Sequence, residues 1–259
     1  MNEINLNSLT VSAEALNNIV ADTLQLAGKQ GATAAEAGLS VAEGITVSTR
    51  MRDVETIEYQ NDTGLGVTVY FGQHKGSAST SSLDPESVRK TVQAACDIAR
   101  FTSQDPCAGL ADADLMATEF HDLDLSHEWD LSTEQAIELA LQCEAAALDL
   151  DARISNSDGA SLDTGRSVSV YANTHGFNAS EQKTRYSLSC SVVAEQDGAM
   201  QRDYWYSVNR NPDLLMSAEE VGRKAGQRTL DRLGARKLET GQAPVLFVPE
   251  LARGLIGSF

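Results

Sequence analysis

Gly64-Leu65-Gly66-Val67-Thr68-Val69-Tyr70-Phe71-Gly72-Gln73-His74-Lys75-Gly76-Ser77-Ala78-Ser79-Thr80-Ser81, followed at once by Ser82-Leu83-Asp84-Pro85-Glu86-Ser87-Val88, decides the fold class. Leu65, Val67, Val69 and Phe71 alternate with other residues at the period of a half-buried strand. The Gly72-Gln73-His74-Lys75-Gly76 segment supplies a turn, since glycine tolerates the left-handed backbone of a tight reversal. Asp84 can accept hydrogen bonds from free helical amides, and Pro85 sits where no amide hydrogen is needed, so a helix starts there. A strand, a Ser/Thr-rich turn and a helix in one short stretch point to an α+β fold.

The same signals recur on both sides. Upstream, a helix is expected from Ser12, with Leu16, Ile19, Val20, Thr23 and Ala27 on one face, ending at Gly28 or Gly31. Leu39 and Val41, Ile45 and Val47, then Ile57 and Tyr59 read as a strand meander, with a turn at Asn61-Asp62 and β-bulge residues at Gly64 and Gly66. Downstream of Asp84, the buried stripe is Val88, Thr91, Val92, Ala95 and Ala99. Residues 104–131 lack a sustained period and are rich in Asp and Leu, which marks a linker and a domain boundary. Ser132 with Gln135, and Ser217 with Glu220, fit capping boxes. The first opens a helix with Ile137, Ala140, Leu141, Ala147 and Leu148 on one face, and the second a helix ending at Gly234. Between them lie strands at Val168 and Val170, at Leu188, Cys190 and Val192, and at Trp205 and Val208, with turns at Asn173-Thr174-His175-Gly176 and Asp197-Gly198.

The expected architecture is two consecutive mixed α/β units with largely antiparallel sheets flanked by helices, then the start of a C-terminal domain. The units are residues 1–105, an acidic linker at 106–131, a middle domain at 132–243, and a truncated segment at 244–259. In the last of these, Pro244-Val245-Leu246-Phe247-Val248 reads as a short strand and Pro249-Glu250-Leu251-Ala252-Arg253 as a helix onset, a pair that normally continues into a further unit.

Composition narrows the function. The 259 residues carry a net charge of −17, which disfavours nucleic acid and anionic membranes, because binding there rests on Lys and Arg displacing counterions. Met1-Asn2-Glu3-Ile4-Asn5-Leu6 has neither the basic nor the apolar region of a leader, and no apolar run is long enough to span a bilayer. Cys96, Cys107, Cys143 and Cys190 form no C-x-x-C pair, so reduced thiols in a cytoplasmic protein are expected.

No phosphate loop, dinucleotide fingerprint or nucleophile elbow is present. The His121 to Asp130 stretch invites a metal reading, but His127-Glu128 lacks a second histidine one turn on, and a solvated acidic linker is the plainer reading. Asn156-Ser157-Asp158-Gly159 resembles half a calcium loop, yet Ile154 and Gly165 stand where carboxylates are required, so a turn is expected. Cys190, on an alternating strand, reads as a small core residue.

Two stretches carry a family likeness. The opening segment, Gly64 to Tyr70, Gly76 to Ser81 and Asp84 to Val88, resembles the N-terminal domain of the TldD/PmbA family, and Gly254-Leu255-Ile256-Gly257-Ser258-Phe259 resembles the end of that family's metal helix. The likeness spans essentially the whole chain and is greater to the PmbA, or TldE, branch. In the TldD branch the metal helix reads H-E-x-x-x-H-G-L-x-G-D-F. Aligning G-L-x-G-x-F puts Val248 and Arg253 at the histidine positions and Pro249 at the glutamate position. None can serve: valine has no lone pair, proline is no general base and arginine is a permanent cation. Glu250 is one residue out of register. The resemblance therefore implies a chain with no catalytic residue, metal or cofactor of its own, pairing with a TldD-like zinc subunit that cleaves peptides or unfolded segments. A homodimer is the expectation for the isolated chain. Two other readings stand beside it: a hydrolase using Cys190 or the His121–His127 cluster, and a module that binds peptides without cleaving them. Edge addition of an extended substrate to the strands at 39–71 is a further possibility.

Overall fold

The computed structural model describes residues 12–259, so the Met1–Leu6 stretch read above lies outside the described residues. The chain runs α1 (Ala13–Lys29), β1 (Ala34–Arg50), β2 (Asp53–Phe71), β3 (His74–Thr80) and α2 (Pro85–Phe101), then α3 (Thr133–Leu148), β4 (Ile154–Asn173), β5 (Asn178–Gln196), β6 (Ala199–Asn209), α4 (Ala218–Asp231) and α5 (Pro249–Ile256). The fold is α+β. A helix, three strands and a helix occur twice in succession, here called two units, and all six strands join in one antiparallel sheet of order β3-β2-β1-β4-β5-β6.

The helix starts fall where the caps place them. Ser12 Oγ accepts from Ala15 N, Asp84 accepts from Ser87 N with Pro85 at the first position, and both capping boxes close in both directions. Helices α1 to α4 lie on one face of the sheet, meeting the inward residues of the alternating strands. That face holds two separate cores. Leu16, Val20, Leu39, Leu65 and Val170 fill one under α1, continued by Val67, Val69, Val92 and Ala95 under α2. Ile45, Val47, Leu162, Leu188, Val192 and Val221 fill the other under α3 and α4. Between them, on the same face, Arg166 pairs with Glu43 and reaches Glu128 at 3.4 Å. This half-buried ion pair is a polar seam under a continuous sheet.

Two glycines allow close contact. A Cβ at Gly76 would sit 2.2 Å from the Ala95 carbonyl oxygen of α2, and one at Gly222 would sit 1.9 Å from the Cys143 carbonyl oxygen of α3. Small residues on α3 follow from the same contact: its buried face is Ala136, Ala140, Cys143, Glu144 and Ala147, while Ile137, Leu141 and Leu148 are only half buried. The expected face of larger residues is thus rotated, because α4 lies too close for leucines between the helices.

Several local expectations change. Asn61-Asp62 is not a turn; β2 runs unbroken through it, and Ser77 to Thr80 belong to β3. The β1–β2 reversal is instead Met51-Arg52, with φ of 51° and 67°. Neither residue favours the left-handed region, and the turn is held from outside, since the wholly buried Glu144 accepts both amide hydrogens at 2.8 Å. Gly64 and Gly66 pair regularly with Ser40 and Gly38; the β1–β2 irregularity lies at Ser48/Thr49. Asn156 to Gly159 is a bulged stretch inside β4. Pro244–Val248 is not a strand, having no neighbour to pair with among the described residues.

Candidate functional site

The face of the sheet away from the helices is lined by small polar residues. Register places Ser40 beside Ser169, Ala42 beside Ser167, and Ser48, Ser161 and Ser189 in one row across three strands. With so few bulky side chains, much of this surface is accessible backbone and hydroxyl.

The linker turns part of this surface into a cleft. After α2 it crosses the β4–β5 turn, where His175 Nδ1 lies 2.9 Å from the Ala111 carbonyl and Asn173 meets Met116. It then passes over the open face and rounds the outer edge of β5, where Thr184 N donates to the Leu125 carbonyl at 2.9 Å and His127 N donates to Thr184 Oγ1 at 3.0 Å. Trp129 and Leu131 finally join the core beneath α3, with Trp129 edge-on to Tyr186. The expected solvated linker is therefore a strap, seated by apolar residues that its acidic composition conceals. Beneath it lies a cleft of about 1000 Å³ lined by Gly38, Ser40, Ser169, Tyr171, Glu181 and the 119–126 segment.

Behind Tyr171, which lines one end of the cleft, lies Glu36. Tyr70 Oη donates to one carboxylate oxygen at 3.0 Å and Tyr171 Oη to the other at 2.6 Å. Burial, reinforced by these bonds, raises both phenols above their ordinary value, Tyr70 to about 12. Both remain donors at neutral pH and fix the carboxylate. Phe177 lies edge-on to Tyr171 and Phe120, closing this end with aromatic surface. Sequence reasoning missed Glu36, Tyr70 and Tyr171, which lie on three strands; only the position of Tyr70 beside the alternating run hinted at a role. A second hollow of about 370 Å³ on the same face is lined by Ser48, Ser161, Ser189 and Ser191, with Arg202 paired to Asp158.

The other candidates are dispersed. Cys190 is buried against Cys143, whose thiol is raised by that contact and by burial, and it does not face the cleft. His127 Nε2 lies 3.1 Å from the Asp124 carbonyl, while His121 lines the cleft. Among the described residues, no group of three His, Cys, Asp or Glu side chains could hold a metal ion. Val248 is the N-cap of α5, Pro249 its first residue, and Arg253 an exposed residue further along. Zinc does not fit these three side chains, which offer no neutral nitrogen, thiolate or carboxylate. Among the described residues no helix is long and apolar enough to cross a membrane.

Comparison with known proteins adds to this. Residues 35–99 match the model for PmbA/TldA metallopeptidase domain 1, and residues 126–233 match the model for the PmbA/TldA metallopeptidase central domain. The chain is 47% identical over 242 residues to the metalloprotease PmbA of Escherichia coli O157:H7, covering 93% of this chain and 54% of the relative. It is 43% identical over 251 residues to a metalloprotease PmbA homolog of Haemophilus influenzae, covering 97% of this chain and 55% of that protein. The chain thus spans about half the length of these curated relatives. A crystal structure of a Bacteroides thetaiotaomicron protein, described as a candidate modulator of DNA gyrase, superposes with a TM-score of 0.81 at 24% identity, over 89% of this chain and 52% of that one. TldE of Thermococcus kodakarensis superposes with a TM-score of 0.68 at 13% identity, over 82% and 47% of the two chains.

Proposed function

The chain belongs to the TldD/PmbA metallopeptidase family, and from that premise we propose that it is part of a non-catalytic, TldE-type subunit of a cytoplasmic peptidase. Its zinc and general base would reside in a TldD-like partner, and its substrates would be peptides or unfolded segments. What carries this reading is the alignment of Gly254–Phe259 with the end of the family's metal helix, which sets Val248, Pro249 and Arg253, at the start of α5 and along it, against the two histidines and the glutamate. No step of hydrolysis is assigned to this chain. Its own contribution is to bind and position: the hydroxyl-lined face offers donors and acceptors to an extended backbone, and the strap limits entry to segments without folded structure.

The test is cleavage of an unstructured peptide by this chain alone, by a TldD-like partner alone, and by the mixture, with and without a chelator. Chelator-sensitive cleavage that rises on mixing supports the proposal, and cleavage by this chain alone overturns it. A second reading, a module that holds peptides without turnover, is favoured by the cleft's hydroxyl lining and predicts saturable peptide binding that leaves the partner's rate unchanged.

A further inference from the structure

β3 pairs with β2 only from Leu65 to Phe71, so residues 53–64 of β2 form an outer edge of the sheet that no described segment covers. Nearly all side chains of this stretch are exposed, with Tyr59 Oη 3.1 Å from Thr133 Oγ1 at the start of α3. The direction of its free backbone groups follows from the ladder. The Tyr70 carbonyl accepts from Thr33 N, just before β1, so even-numbered residues of β2 turn their amides toward β1 through the regular register from Thr56 to Tyr70. The amides and carbonyls of Ile57, Tyr59, Asn61 and Thr63 therefore point outward.

The second unit contains the corresponding edge, and there part of it is occupied. β6 pairs with β5 from Tyr186 onward, leaving residues 178–185 exposed in the same way. The outward amide of Thr184 is taken by the Leu125 carbonyl of the strap. One edge receives an extended segment from its own chain, and its counterpart at β2 has none among the described residues.

We propose that the β2 edge from Asp53 to Gly64 binds an extended polypeptide segment in which lysine or arginine alternates with apolar residues, added as a further strand. The alternation follows from the two faces of β2. Thr56, Glu58, Gln60 and Asp62 lie on the open side with Thr46 and Ala42, while Ile57 and Tyr59 lie on the helix side opposite Val47 and Ile45. Ile57 and Tyr59 are 40% and 51% exposed, leaving apolar surface for an incoming residue. Glu58 and Asp62 favour cations across from them, and Asp53 adds to the same field, while Glu55 is paired with Arg50 at 4.0 Å. A second copy of this chain would bring its own acidic edge and a net charge of −17, so like charges would meet. This binding requires neither zinc nor the partner subunit and is separate from the peptidase reading.

The experiment is fluorescence anisotropy of a labelled Lys-Val-Lys-Ile-Lys-Val-Lys peptide with the full chain, in chelator. Binding should weaken with salt and fall by about tenfold or more when glutamate replaces lysine in the peptide or alternate peptide amides are N-methylated. Asn61→Pro removes one outward amide and leaves the β1 ladder intact, so it should abolish binding without lowering Tm. Glu58→Lys with Asp62→Lys should reverse the preference toward the glutamate peptide. Undiminished binding by Asn61→Pro, or equal affinity for the N-methylated peptide, would overturn the proposal. So would slow hydrogen exchange at Ile57, Tyr59 and Asn61 in the free chain, since the edge would then be occupied by a second copy or by the chain itself. Absence of peptide binding by the unsubstituted chain, with cleavage in the mixture intact, would refute the edge site and leave the peptidase reading standing.

Discussion

The two units share a plan and differ in how they are finished. In the first, α1 and α2 cover β1 to β3, the hairpin turn Met51-Arg52 is held by a residue of the other unit, and part of the sheet edge is open. In the second, α3 and α4 pack on each other through Gly222, the strap closes the edge of β5, and a cleft forms beneath it. A repeated arrangement can thus supply both a rigid half and an accessible half. The rigid half lends its buried Glu144 to the accessible one.

The largest effect should come from the glycines at the helix contacts. Gly222→Ala and Gly76→Ala should each cost about 3 kcal/mol, because a methyl group meets backbone that cannot move aside cheaply. Urea denaturation of both variants, followed by tryptophan fluorescence and by circular dichroism, sharpens the comparison. If the units unfold as one, both probes shift together in both variants. If the seam separates them, Gly76→Ala will leave the fluorescence of Trp129 and Trp205, both packed in the second core, unmoved.

Next is the link between the units. Glu144→Ala should cost about 2 kcal/mol by leaving the Met51 and Arg52 amides without their side-chain acceptor, and amide exchange should rise at that turn. The seam should respond to a similar degree. Arg166→Met alone should cost about 2 kcal/mol by leaving Glu43 half buried and unpaired. Adding Glu43→Leu should recover most of that, because an apolar seam would merge the two cores; a double variant no better than the single one breaks this account.

The smallest effect lies where each first helix meets its strand. The first unit uses Gly31 at φ 90°, and the second an ion pair in which the Arg153 guanidinium hydrogen-bonds the Asp151 carboxylate and holds it down to about 2. The folded value is below the ordinary one, so this contribution is present above the ordinary carboxylate range and is lost as pH falls toward 2. Asp151→Asn should therefore flatten the pH dependence of Tm between about 4 and 2, slightly, since the pair is exposed.

What was legible in the sequence was local. Ser12, Asp84, Ser132 and Ser217 announce helices because a cap is satisfied within three residues of itself. The alternating runs announce strands for the same reason. Met51-Arg52 was invisible as a turn because its left-handed backbone is stabilised by Glu144, far along the chain, while Asn61-Asp62 carries turn chemistry that pairing with β1 overrides. The strap was hidden by its charge, since only Trp129, Leu131 and a few backbone bonds attach it. The Glu36 site could not be read either, because its three members meet only after β2, β1 and β4 are aligned.

The pairing of β1 with β4 also sets an order of events during synthesis. Glu36 must wait for Asn173, and Thr49 for Ala160, before the centre of the sheet exists. At roughly 10 residues per second, the first unit leaves the ribosome with an inner strand uncovered for on the order of ten seconds. Until β4 arrives, the nascent chain presents the long outer border of β1 to whatever is nearby, so slow translation through the strap would lengthen its need for a chaperone.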